Sequence, residues 1–162
     1  MFAGAGPAGT TEEVYRDLLA QARALFEGER DPIANAANLA ALLYHGLADL
    51  NWAGFYFLKG QELVLGPFQG KPACIRIAIG KGVCGTAAAR LETIIVPSVA
   101  DFPGHISCDS ASRSEIVVPL SNGILVRGVL DLDSPLLDRF KESDREGLEA
   151  LARLWLNASD PG

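Results

Sequence analysis

The sequence predicts an α+β fold: one antiparallel sheet with helices packed against it. Two amphipathic helical stretches come before any strand. A series of short apolar segments follows, separated by turn residues that include Asn122-Gly123, a strong hairpin signal. A last amphipathic helix closes the chain. This order of helix, helix, antiparallel strands, helix fits a single covered sheet. The chain has 162 residues and is 49% apolar, enough for one domain with one sizeable core.

Taken in order, residues 1–9 are small and uncharged and read as a flexible lead, leaving residues 10–160 for the domain. Thr10 stands three residues before Glu13, the spacing of a capping box, and Val14, Leu18, Ala22, Leu25 and Phe26 then recur at helical spacing. Gly28 ends that helix. Asp31-Pro32 opens a second, with Asp31 as N-cap and Pro32 in the first turn. Its apolar face is expected at Ile33, Ala36, Ala40, Leu43 and Tyr44, continuing to Leu47 and Leu50. Residues 52–58 and 63–65 flank the turn Lys59-Gly60-Gln61 and form a hairpin. Gly66-Pro67 is expected to break the second strand, leaving residues 68–74 as a loop. Residues 75–79 alternate as a third strand, Gly80-Lys81-Gly82 turns, and residues 83–90 make a short alanine-rich helix. Residues 93–96 are a strand, and 97–108 a long loop of the kind that usually carries function. Strands at 116–120 and 125–132 follow. Ser143, three residues before Glu146, is expected to cap a final helix with Leu148, Leu151, Ala152 and Trp155 on one stripe.

A formal charge of −6 and a pI near 4.9 argue against a nucleic-acid partner and against an anionic membrane surface. The longest apolar runs fall well short of the roughly 20 residues that span a bilayer, and the first residues have neither the basic head nor the apolar length of a secretory signal. A cytoplasmic location is expected, where three cysteines do not make a structural disulfide framework.

The residues that can carry chemistry are few. Cys74, Cys84 and Cys108 lack the close spacing of a zinc knuckle, so no metal is expected. Cys84 lies inside the short helix and reads as a small buried hydrophobe. Cys74 and Cys108 lie in loops, either as idle thiols or as a reactive and resolving pair across a shared cleft. Cys108 sits among small residues that let a substrate approach closely. Asp131 and Asp133 share one face of a strand and, with Glu115, are expected to face Cys108. Carboxylates grouped in a pocket cannot all ionise, so one holds a proton near neutral pH. Trp52 and Tyr56 also share a strand face. Spacing alone reads them as core, though they can wall a slot for a thioether methyl. His105, three residues before Cys108, is given no catalytic role.

The run from Gly104 to Leu120, GHISCDSASRSEIVVPL, resembles the signature of the free methionine-(R)-sulfoxide reductases, which are single-domain GAF proteins. The likeness extends to residues 51–56, 65–74, 80–87 and 128–134. It implies a GAF fold, with a single antiparallel sheet flanked by helices on both faces. It implies Cys108 as catalytic cysteine, Cys74 as resolving cysteine and Cys84 as an auxiliary one. It also implies that Glu115, Asp131 and Asp133 engage the sulfoxide oxygen and the polar end of methionine, and that Trp52 and Tyr56 surround its methyl group. Thioredoxin as reductant and a homodimer belong to the same implication; no cofactor does. Ser107 and Ser110 stand where the family favours alanine, and Arg127 where an apolar residue is commoner. Arg127 is expected to face away from the pocket, because Val126 and Gly128 share the opposite strand face.

The expected activity is reduction of free L-methionine-(R)-S-oxide, with Cys108 attacking sulfur and Glu115 or Asp133 supplying the proton. Two competing expectations are a non-enzymatic GAF domain that binds a small ligand or senses redox state, and a thiol protein that scavenges peroxide.

Overall fold

The protein is described by a computed structural model covering residues 9–161, so residues 1–8 of the expected lead lie outside the described residues. The elements are α1 (Thr11–Phe26), α2 (Pro32–Gly46), β1 (Trp52–Lys59), β2 (Glu62–Gly70), β3 (Arg76–Ala78), α3 (Gly82–Arg90), β4 (Ile94–Val96), β5 (Ser114–Ser121), β6 (Val126–Ser134) and α4 (Glu142–Ala158). The strands form one six-stranded antiparallel sheet in the order β3-β2-β1-β6-β5-β4.

The two faces of the sheet have different work. On one, α1, α2 and α4 bury a large core around Phe55, Leu130, Leu132, Leu148 and Trp155. On the other, α3 and the connecting loops cover a smaller cluster that includes Trp52, Tyr56, Val117 and Val129. Strand alternation sends neighbouring residues to opposite faces, so Phe55 enters the helical core while Trp52 and Tyr56 enter the smaller cluster.

The caps follow local chemistry. Thr10 Oγ1 accepts from the Glu13 amide at 3.2 Å, and Asp31 Oδ1 accepts from the Ile33 and Ala34 amides at 2.8 and 2.9 Å. The final helix departs from the capping expected at Ser143. It starts two residues earlier than that cap implies, at Glu142 with Lys141 as N-cap, and the Asp144 carboxylate reaches back to the Lys141 amide at 2.9 Å. Asp144 is held there because Tyr15 donates to it at 2.7 Å and Arg139 lies 3.4 Å away. A packed helix pair thus decides which residue caps.

Other expectations are corrected by packing. In α1, Tyr15 is buried rather than Val14, and Leu25 is exposed. In α2, Leu39 and Leu42 are buried while Ile33 is exposed, because this helix lies between β1–β2 and the other helices and buries a wider arc than one stripe. Gly66-Pro67 does not end β2. Gly54 pairs with Phe68 and Tyr56 with Leu65, so Gly66 and Pro67 together oppose Phe55 in a bulge, and the strand runs on to Gly70. A proline without an N–H is at home in such a bulge. Arg127 faces away from the pocket as expected. Its guanidinium lies 4.6 Å from the Trp155 ring and donates to the Ser159 and Asp160 carbonyls.

Helices α1 and α4 meet where Gly147 faces the Tyr15 ring, and a Cβ at Gly147 would overlap that ring. Gly147→Ala is expected to lower stability by about 1–3 kcal/mol in urea unfolding, through overpacking; an unchanged midpoint would show that α1 does not sit this close.

Candidate active site

The site is a product of strand register. Across the sheet, Trp52 pairs with Asp133 and Asp133 with Glu115; on the next rung of the same face, Gly54 pairs with Asp131 and Asp131 with Val117. Three acids therefore meet on the face that α3 covers. Gly54 leaves its place on that face empty: a Cβ there would collide with Phe68 and with the Trp52 ring 2.7 Å away. Trp52 leans into the gap, its ring centre 5.2 Å from Phe68 and 5.9 Å from Tyr56.

The resulting cavity is about 500 Å³ including its open mouth, and its lining contains Cys84, Cys108, Glu115, Asp131 and Asp133 together with Trp52 and Tyr56. Seven of the eight residues singled out from sequence thus share one cavity. The eighth, Cys74, is joined to Cys108 by a disulfide with a Cα–Cα distance of 5.4 Å. Cys84 is a buried free thiol as expected, but it belongs to the cavity wall rather than to packing alone.

Both disulfide loops are tethered from β1 or its start. Trp52 Nε1 donates to the Lys71 carbonyl at 3.1 Å and the Tyr56 hydroxyl to the Cys74 carbonyl at 2.8 Å. The polar ends of these buried aromatics fix the loop that carries Cys74. Asn51 Nδ2 donates to Asp109 Oδ2 at 3.1 Å and to Ser112 Oγ at 3.0 Å, while Asp109 Oδ1 accepts from the Ala111 amide at 2.9 Å. These bonds hold the turn that follows Cys108. Asn51 and Ser112 received no role from sequence, since tethering through a side-chain amide leaves no periodic signal. His105 also enters the site, with Nε2 3.5 Å from Glu115 Oε1. Its distance from the acid in sequence hid that contact.

Burial sets the protonation of the pocket. Glu115 and Asp131 are buried and Asp133 half-buried. Burial, with repulsion from neighbouring carboxylates, pushes Asp131 and Asp133 well above the usual carboxylate range. Burial likewise pushes up the Cys84 thiol and the Tyr56 phenol, with the same acids adding to the effect. Asp109 moves the other way, because the Ala111 amide stabilises its charge. The cavity floor thus favours the protonated over the charged form of its acids, beside the disulfide.

The GAF domain family matches residues 10–155, and the topology around this cavity is that of a GAF domain with a disulfide at its mouth. The chain is 52% identical to the free methionine-R-sulfoxide reductase of Escherichia coli over 139 residues, 86% of this chain and 84% of that protein. It is 46% identical to the enzyme of the same name from Saccharomyces cerevisiae over 151 residues, 88% and 84% of the two chains. The structure of the Neisseria meningitidis free methionine-R-sulfoxide reductase, in complex with its substrate, superimposes with a TM-score of 0.90 at 43% identity, covering 98% of this chain and 95% of that one. The chain belongs to the free methionine-R-sulfoxide reductase family of GAF-domain proteins.

The raised acids have a consequence for stability. Between the carboxyl range of an unfolded chain and the higher values in the fold, the native state binds more protons, so stability falls as pH rises through that window. Asp131→Asn removes one such group. It is expected to raise stability at neutral pH by on the order of 1 kcal/mol, about 2–4 °C in Tm. The gain should vanish below about pH 4, where the carboxyl is neutral even when unfolded. A loss of stability at neutral pH would contradict a buried, destabilised carboxyl.

Proposed function

We propose that this protein reduces free L-methionine-(R)-S-oxide to L-methionine, using Cys108 as nucleophile and Cys74 as resolving thiol. The observation that carries the reading is the shared cavity: a cysteine able to cycle through a disulfide, beside acids held protonated by burial. Membership of a family whose named enzymes act as free methionine-R-sulfoxide reductases supports the substrate.

The chemistry follows from bond polarity. Sulfoxide sulfur is electrophilic, and its oxygen is a poor leaving group until protonated. Cys108 Sγ attacks that sulfur while Asp133, opposite Glu115 in the sheet, gives a proton to the oxygen. The oxygen passes to Cys108 as a sulfenic acid, two electrons pass from the thiol to the substrate, and methionine leaves. The Cys74 thiol then attacks Cys108 Sγ, the S–O bond breaks, water departs and the disulfide forms. A dithiol reopens it by exchange, taking up the oxidation as its own disulfide.

Trp52 and Tyr56 wall the space for the thioether end, and Glu115 and Asp131 take the α-ammonium, the arriving cation favouring loss of the Asp131 proton. A peptide-linked methionine has no such ammonium to offer. Buried acids left unpaired discriminate strongly against it. Cys84, with its thiol pushed up by burial, is an auxiliary rather than a primary nucleophile. The family resemblance adds thioredoxin as the dithiol and a homodimer as the assembly, and the cytoplasmic location expected from the sequence is a compartment reducing enough to reopen the disulfide. Residues 10–160 serve as one catalytic domain. No helix among the described residues is long and apolar enough to cross a membrane.

Methionine release from the free R epimer, with thioredoxin as reductant, tests the reading. Cys108→Ser is expected to lose about 10³-fold or more in turnover. Cys74→Ser should still release about one equivalent of methionine in a single burst, then stall at the sulfenic acid. Ligand binding without turnover would make the protein a sensor, and faster consumption of peroxide than of sulfoxide would make it a scavenger.

A further inference from the structure

The floor of the cavity brings a sulfur and two carboxyl groups together as one donor set. The ligating atoms of Cys84, Glu115 and Asp131 all lie within 4.8 Å of one another, and all three residues are buried. Asp131 is 5% exposed, and its Oδ1 accepts no hydrogen bond. It is a buried, unpartnered oxygen on the cavity wall. An orphaned acceptor of this kind is costly in a fold unless something comes to meet it. His105 Nε2, 3.5 Å from Glu115 Oε1, adds a nitrogen donor at the edge of the set. Among the described residues, no Lys or Arg lines the cavity, and His105 is the one lining side chain there that can carry a positive charge.

The ammonium of an amino acid can answer the oxygens, but it makes no use of the sulfur. A thiolate and two carboxylate oxygens within one small space are ligands of a thiophilic divalent cation, zinc above all. They are the wrong set for magnesium or calcium, which take oxygen alone. We propose that Cys84, Glu115 and Asp131 form a binding site for Zn2+ and ions like it at the base of this pocket. Binding displaces the protons of Cys84 and of any protonated carboxyl in the set to solvent and forms metal–thiolate and metal–carboxylate bonds, with no change of oxidation state. The ion occupies the acids proposed to hold the substrate's ammonium, so it excludes the substrate by competition. That consequence rests on the functional reading above; the metal site itself does not.

The disulfide form isolates the question, because Cys74 and Cys108 are then spent and Cys84 is the one thiol left in the chain. Cd2+ is titrated into that form without reductant or sulfoxide, and the thiolate-to-cadmium absorption is followed. A saturable band at one equivalent is expected, absent in Cys84→Ser, undisturbed by excess Ca2+, and shifted to at least tenfold weaker binding in Asp131→Asn. No band in the wild-type protein, or a band that survives Cys84→Ser, would overturn the site. If circular dichroism shows Cys84→Ser to be unfolded, Asp131→Asn decides alone: unchanged affinity would overturn it. A protein that takes up Cd2+ but leaves methionine sulfoxide untouched would keep the metal site and refute the reductase reading; turnover without a band would do the reverse.

Discussion

Three carboxyl groups are forced together on one sheet face and then covered. Once Asp133 stands between Trp52 and Glu115, and Asp131 between Gly54 and Val117, the acids cannot separate without breaking three central strands. Covering them with α3 withdraws water, and no Lys or Arg of the described lining replaces it. The surrounding chemistry follows from that confinement. Asp131 and Asp133 keep protons that exposed carboxyls would release, while the Cys84 thiol and the Tyr56 phenol stay neutral. Proton storage is a liability for the fold and a resource for a reaction that must turn sulfoxide oxygen into a leaving group.

The two faces of the sheet divide the labour. Helices α1, α2 and α4 supply a dry apolar core, so the strand ladder that fixes the acids is stiff. The opposite face carries irregular loops, which is where reacting groups need access. Those loops are not loose. The indole and phenol of β1 hold the segment before Cys74, and the Asn51 amide holds the turn after Cys108. The sulfurs are thus positioned from the same strand that sets the acids, which keeps the disulfide and the buried carboxyls in one frame.

Much of this is legible in the sequence. Alternation put Asp131 and Asp133 on one face, Asn122-Gly123 placed the hairpin, and the run around Cys108 carried a family likeness that named all eight site residues. What escaped reading depended on packing over distance. Gly66-Pro67 looks like a strand end and is a bulge, because Phe55 on the partner strand absorbs the extra residue. Ser143 has the spacing of a cap but yields to Asp144, which Tyr15 fixes from 129 positions away. His105 and Asn51 act through side chains that cross between segments, and no local period marks such contacts.

Burial is expected to keep protons on the carboxyls facing the disulfide at neutral pH. Infrared difference spectroscopy of the oxidised protein measures this directly, through the C=O stretch of protonated carboxylic acids. The band is expected at neutral pH in the wild-type protein and should diminish in Asp131→Asn and again in Asp133→Asn. A spectrum at neutral pH holding only ionised carboxylate bands would contradict it.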